Sequence, residues 1–172
     1  ARFDAVEASA MLISGKANIE AQDKIEGRTP LHLAVHAGGV LPDKDRIAPP
    51  MLGGPYALRM FHSLCSAGAR VDIPEFGGLT LLHSAACGGS LEICERLAQL
   101  GLNVGERDYG ERTPLHWACR FGNFSVVLYL IENGAEIDSK NHWSKTPLTI
   151  ASENRELQIV ETLLMSGAEK SG

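Results

Sequence analysis

The chain has 172 residues, 44% of them apolar and 22% charged, the balance of a folded protein and not of a disordered tail. No apolar run approaches the roughly 20 residues that span a bilayer, and no basic, apolar leader opens the sequence. A formal net charge of −5, from 16 basic and 21 acidic residues, disfavours a chain-wide nucleic-acid or anionic-membrane surface.

In chain order, Ala5 to Ile19 reads as a helix closing at Gly15, with one extra residue at Lys16. It forms a partial unit over 1–23 whose first helix is missing or irregular. Because the sequence starts at Ala1 and not at Met, the expectation is a segment cut from a longer protein. The next unit, 24–74, opens a helix at Thr29-Pro30-Leu31-His32. Thr is a good N-cap, and Pro loses no hydrogen bond in the first helical position. An 18-residue insertion at 39–56 follows, holding Pro42, Pro49, Pro50 and Pro55. Its Asp43-Lys44-Asp45-Arg46 stretch is charge-balanced, and closing so long a loop costs little more than closing a short one. Ile47, Met51, Leu52 and Tyr56 pack back on the domain or offer a second contact. A second helix then ends at Gly68-Ala69.

Unit 75–107 starts its helix at Thr80-Leu81-Leu82-His83 and carries Ile93, Leu97 and Leu100 at helical spacing in the next. Unit 108–140 repeats this with Thr113-Pro114-Leu115-His116, then Val126, Val127, Leu130 and Ile131. Unit 141–170 does so with Thr146-Pro147-Leu148-Thr149, then Ile159, Val160, Leu163 and Leu164. The Thr markers at 80, 113 and 146 are 33 residues apart, and Thr29 precedes Thr80 by 33 plus 18. Gly68, Gly101, Gly134 and Gly167 trail their Thr by 39, 21, 21 and 21, which places the excess of 18 inside the first full unit. Each closing Gly suits the left-handed position after a helix. Two short helices cannot bury both apolar sides alone, whereas stacked neighbours can, so the expected fold is an all-α repeat solenoid.

With its Thr-Pro-Leu-His openings, 33-residue period and Gly-Ala closes, the chain resembles the ankyrin-repeat family from about residue 11 to 170. The resemblance implies stacked helix-turn-helix repeats with β-hairpin fingers along one edge. It implies that His32, His83 and His116 tie neighbouring repeats together by hydrogen bonds, and that the chain binds proteins and is not an enzyme. Thr149 and Arg155, where the family has His and Gly, fit a C-terminal capping repeat.

Chemistry-bearing motifs are few. His32 and His36 share a helix face at a zinc-compatible spacing, but Leu33 sits where a protease helix needs Glu. His83 with Cys87 and His116 with Cys119 are equivalent positions of different repeats, which repetition produces without a metal. Cys65, Cys87, Cys94 and Cys119 have apolar, helix-like neighbours and read as buried thiols. The glycosylation acceptor pattern Asn123-Phe124-Ser125 lacks a leader to bring it to the machinery. Gly38-Gly39 and Gly53-Gly54 have no phosphate-loop context, and no Ser or Cys lies in a nucleophile motif. No cofactor, metal or small-molecule substrate is expected.

The resemblance places partner contacts on the finger tips and the exposed side of each first helix. Half of the chain's ten aromatics fall at those positions: Phe76, Tyr109, Trp117, Phe121 and Trp143. Arg28, Arg112, Arg120 and Lys145 join them, with His142 on the last finger. Aromatic and Arg side chains are the commonest binding hot spots. The expectation is a locally basic groove over the second to fourth full-length positions of the array, taking a net-acidic protein segment with an apolar or aromatic anchor. Trp143 and Tyr109 are expected to be exposed, while Trp117 is as readily packed under the fingers. The role would be scaffold, adaptor or inhibitor in cytoplasm or nucleus. The alternatives are the targeting domain of a larger enzyme and a homotypic assembly domain.

Overall fold

The computed structural model describes residue 15 and residues 18–36 and 55–169. The helix expected before Gly15 and the insertion through Gly54 lie outside these residues. The described ones form eight helices in four pairs: α1 (Pro30–His36) with α2 (Pro55–Ser66), α3 (Leu81–Gly88) with α4 (Leu91–Gln99), α5 (Pro114–Arg120) with α6 (Phe124–Glu132), and α7 (Pro147–Glu153) with α8 (Leu157–Met165). First helices stack on first helices and second on second, while each pair also packs internally.

The helices start where threonine chemistry places them. Thr80 and Thr113 sit in extended backbone, φ −82° and −92°, and each closes a capping box with the histidine three residues on. The backbone N–H of Thr80 donates to His83 Nδ1 at 3.1 Å, and that of Thr113 to His116 Nδ1 at 3.1 Å. A ring nitrogen that accepts carries no proton, so the proton lies on Nε2. That nitrogen donates to the next repeat: His83 to the Arg112 carbonyl at 3.0 Å, His116 to the Lys145 carbonyl at 3.1 Å. One imidazole thereby caps its own helix and fixes the following finger. His32 plays the same capping role on Thr29, with Nδ1 3.3 Å from the backbone nitrogen. In the last repeat Thr149 N–H donates to Thr146 Oγ1, a cap without a reach to a neighbour.

Burial follows the same division. Every residue from Leu81 to Cys87 and from Pro114 to Cys119 is buried, since a first helix meets neighbours on both sides. The second helices bury one stripe each, Ile93, Cys94 and Leu97, then Val126, Val127 and Leu130, then Ile159 and Leu163. These residues join one continuous apolar cluster running from Leu31 to Ala168, with no single central core. The cysteines are free, and burial pushes the Cys87 and Cys94 thiols up to about 12. The Asn123 side-chain nitrogen donates to the carbonyls of Ala86 and Cys87, both at 2.8 Å, closing the end of α3 from the next repeat.

The fingers are tight turns, and no strand occurs among the described residues. Each is closed by a backbone pair, Glu75 N–H to Leu79 O, Asp108 N–H to Arg112 O, and Asn141 N–H to Lys145 O. Single backbone bonds link successive tips, from Phe76 to Glu26, Tyr109 to Gly77 and His142 to Gly110, at 2.9 to 3.0 Å. One bond per junction aligns the fingers without building a strand ladder.

Candidate interaction surface

The finger before α5 is built around a single carboxylate. Asp108 is buried, and its Oδ1 accepts from the backbone N–H groups of Gly110 and Arg112, both at 2.9 Å. Its Oδ2 accepts from Arg112 Nε at 2.7 Å and from the Trp117 indole N–H at 3.1 Å. Short polar side chains hold turns in this way by bonding the backbone two residues on. Asn141 repeats the arrangement, its Oδ1 accepting from Trp143 and Lys145 N–H groups at 2.9 and 3.0 Å.

These two fingers and α5 and α7 enclose a groove of about 250 Å³. Arg112, Trp117, Arg120, Trp143 and Lys145 line it, together with His116, Asn141, Ile150, Glu153 and Asn154. The Arg112 guanidinium lies 4.3 Å from the Trp117 ring centroid and 6.0 Å from that of Trp143, a cation between two indoles. Trp117 is 6% exposed and its ring stacks on Phe121 with centroids 6.0 Å apart. It is the floor, held by Asp108, and offers a partner little surface. Trp143 is 63% exposed and forms the wall. Arg120, at the end of α5, is exposed, with Phe121 5.8 Å beneath it.

Five of the ten candidate residues thus come together, and the other five do not line this groove. Arg28 has only 11% of its side chain exposed and is paired with Glu26 and Glu75 inside the first junction. Phe76 is exposed, its ring packed over Gly27, where a Cβ would meet it. Tyr109 is exposed and packs over Gly78 in the same manner, lining a separate hollow of about 390 Å³ with Val71, Leu102 and Arg107. Phe121 is half-buried under Trp117, and His142 is exposed on its finger. The groove is therefore confined to the last two repeats and does not extend over the one before them.

Charge also redistributes. Of the four cations expected to make the stripe basic, Arg28, Arg112 and Lys145 have carboxylate partners, the last in Glu153 at 2.7 Å. Arg120 has no ion pair among the described residues. Sequence reasoning missed Asp108 and Asn141, whose importance is to backbone geometry, and Ile150 and Asn154, which enter the groove only because α7 stacks on α5. Asp108 and Asn141 stand 33 residues apart, each a short side chain that bonds its own turn, and that spacing is the signal that marks them.

Among the described residues no helix is long and apolar enough to cross a membrane, and no group of three His, Cys, Asp or Glu is placed to hold a metal. A family model described as ankyrin repeats in three copies matches residues 54–141, and one described as ankyrin repeats in many copies matches 121–164. A search of curated proteins finds no match.

Proposed function

The chain belongs to the ankyrin-repeat family, whose members are protein-interaction modules, and we propose that it acts as a non-catalytic scaffold, adaptor or inhibitor through the groove of its last two repeats. The occupant is a protein segment, net acidic, with an apolar or aromatic anchor. The observation that carries this reading is Trp143, a large indole left 63% exposed on a finger whose backbone is pinned by Asn141. A rigid aromatic at the lip of a cleft contributes contact area at little cost in side-chain entropy. The surplus of cations over carboxylates around it favours an acidic partner and steers its approach.

The test is the double substitution Trp143→Ala with Arg120→Ala. Both side chains are exposed, so the melting temperature should stay within about 2 °C of the parent, as for surface changes worth up to about 0.5 kcal/mol. Capture of the native partner, identified by mass spectrometry after pull-down with the parent chain, should be abolished. Unaltered capture would sink the proposal.

A further inference from the structure

Within the groove the three cations are not equivalent. The Arg112 guanidinium is occupied: Asp108 takes its Nε at 2.7 Å, and its central carbon lies over the Trp117 ring at 4.3 Å. Lys145 is answered by Glu153 at 2.7 Å. Arg120 stands at the same rim, exposed, supported from below by the Phe121 ring, and with no carboxylate paired to it among the described residues. A guanidinium presents a fixed fork of donors that matches a carboxylate with two parallel bonds.

We infer that Arg120 is the group that reads an Asp or Glu side chain of the bound segment, while Trp143 takes a neighbouring apolar or aromatic side chain, so that the groove recognises a two-point acidic–apolar motif. Arg112 is a positioning residue that keeps the two indoles apart, and Lys145 adds no selectivity of its own. The inference rests on the reading of this groove as the docking site, and its test separates the two. The chain's two tryptophans, Trp117 and Trp143, both line the groove, so intrinsic fluorescence reports occupancy directly.

Random peptides displayed with fused C-termini are selected on the chain, which removes free terminal carboxylates from the competition. The strongest binders are then synthesised with amidated ends and titrated by tryptophan fluorescence. Selected peptides should carry Asp or Glu next to an apolar or aromatic residue. Arg120→Gln should weaken the best peptide at least tenfold, about 1.4 kcal/mol, and should no longer distinguish it from its Glu→Gln or Asp→Asn counterpart. Arg120→Lys should recover part of the loss, and Lys145→Gln should change affinity less than threefold. Peptides that need Trp143 but bind Arg120→Gln as well as the parent would overturn the carboxylate assignment and leave the docking site standing. Peptides that bind Trp143→Ala unchanged, or no selected peptide at all, would overturn both.

Discussion

The helix pairs α3–α4 and α5–α6, each with the finger before it, are built on one plan and end as different surfaces. Each has a buried acid at the base of its finger, Glu75 in one and Asp108 in the other. Each acid accepts from the side chain four residues past the threonine, Ser84 Oγ at 3.0 Å and Trp117 Nε1 at 3.1 Å. Each also accepts from an arginine, but Glu75 takes Arg28 of the preceding repeat, whereas Asp108 takes Arg112 of its own. The longer acid with a small partner closes a junction. The shorter acid holds its own turn and fixes Arg112 over Trp117 at the floor of the groove. Small residues, Ser84, Cys87 and Gly88, complete the first surface, while Trp117, Arg120 and Phe121 occupy the equivalent places in the second. A repeat scaffold thus differentiates its units by a few side chains on a fixed backbone.

The sharpest way to break that comparison is to remove the acids. Asp108→Ala deletes four hydrogen bonds from a buried carboxylate and leaves Arg112 and the indole N–H without their acceptor. The expected cost is on the order of 3–5 kcal/mol, the range for breaking a buried pair by removing one partner. Glu75→Ala should cost less, about 1–3 kcal/mol, because Arg28 keeps Glu26 as a partner. Urea denaturation of the two variants measures both, and equal losses would contradict the different roles assigned to the two acids.

Where the two repeats are alike, their response to acid should also be alike. Burial holds His83 and His116 below the ordinary histidine value of 6.5, His116 at about 4. Protonation would place a hydrogen on Nδ1, where the threonine N–H already donates. The unfolded chain binds these protons and the folded chain does not, so stability is intact above pH 6.5 and is lost as pH falls below it, for His116 toward about 4. For His116 the loss approaches about 3 kcal/mol at 1.36 kcal/mol per pKa unit. The double variant His83→Gln, His116→Gln should start less stable at pH 8 and lose less between pH 6.5 and 4. Parallel pH profiles for variant and parent would refute the histidine assignment.

The repeat architecture was legible because its determinants are local and recur: a threonine cap, a proline or leucine after it, a glycine at a fixed distance. The groove was legible only in part. Aromatic residues at finger positions identified Trp143, but a sequence does not say which cations find carboxylates. Arg28 and Arg112 occupy the same place before their threonines, and only the three-dimensional partners, Glu75 for one and Asp108 with two indoles for the other, separate a junction from a rim. The resemblance implied β-hairpin fingers, whereas among the described residues the fingers hold no strand. One backbone bond per junction leaves the fingers as turns.

The smallest expected effect concerns the residue between paired helices, and it reverses sign along the array. Gly89, Gly122 and Arg155 occupy one position, all at positive φ, 73°, 71° and 62°. At Gly89 an added Cβ would lie 2.6 Å from Asn123 Oδ1, and at Gly122 it would lie 2.7 Å from the Glu156 carboxylate. The following repeat thus presses on each glycine, and Asn123 is itself pinned by two carbonyls. No described repeat follows Arg155, so only the backbone cost of a side chain in the left-handed region remains there. Gly89→Ala should therefore destabilise by about 2 kcal/mol, strain and a displaced Asn123 together. Gly122→Ala should cost about 1 kcal/mol, since a Glu156 side chain can swing aside. Arg155→Gly should instead stabilise by about 0.5–1 kcal/mol, the relief of left-handed strain exceeding the added freedom of the unfolded chain. Denaturation midpoints of the three variants decide it: a destabilised Arg155→Gly would mean that the arginine side chain makes a stabilising contact, and the contrast between inner and last repeats would fail.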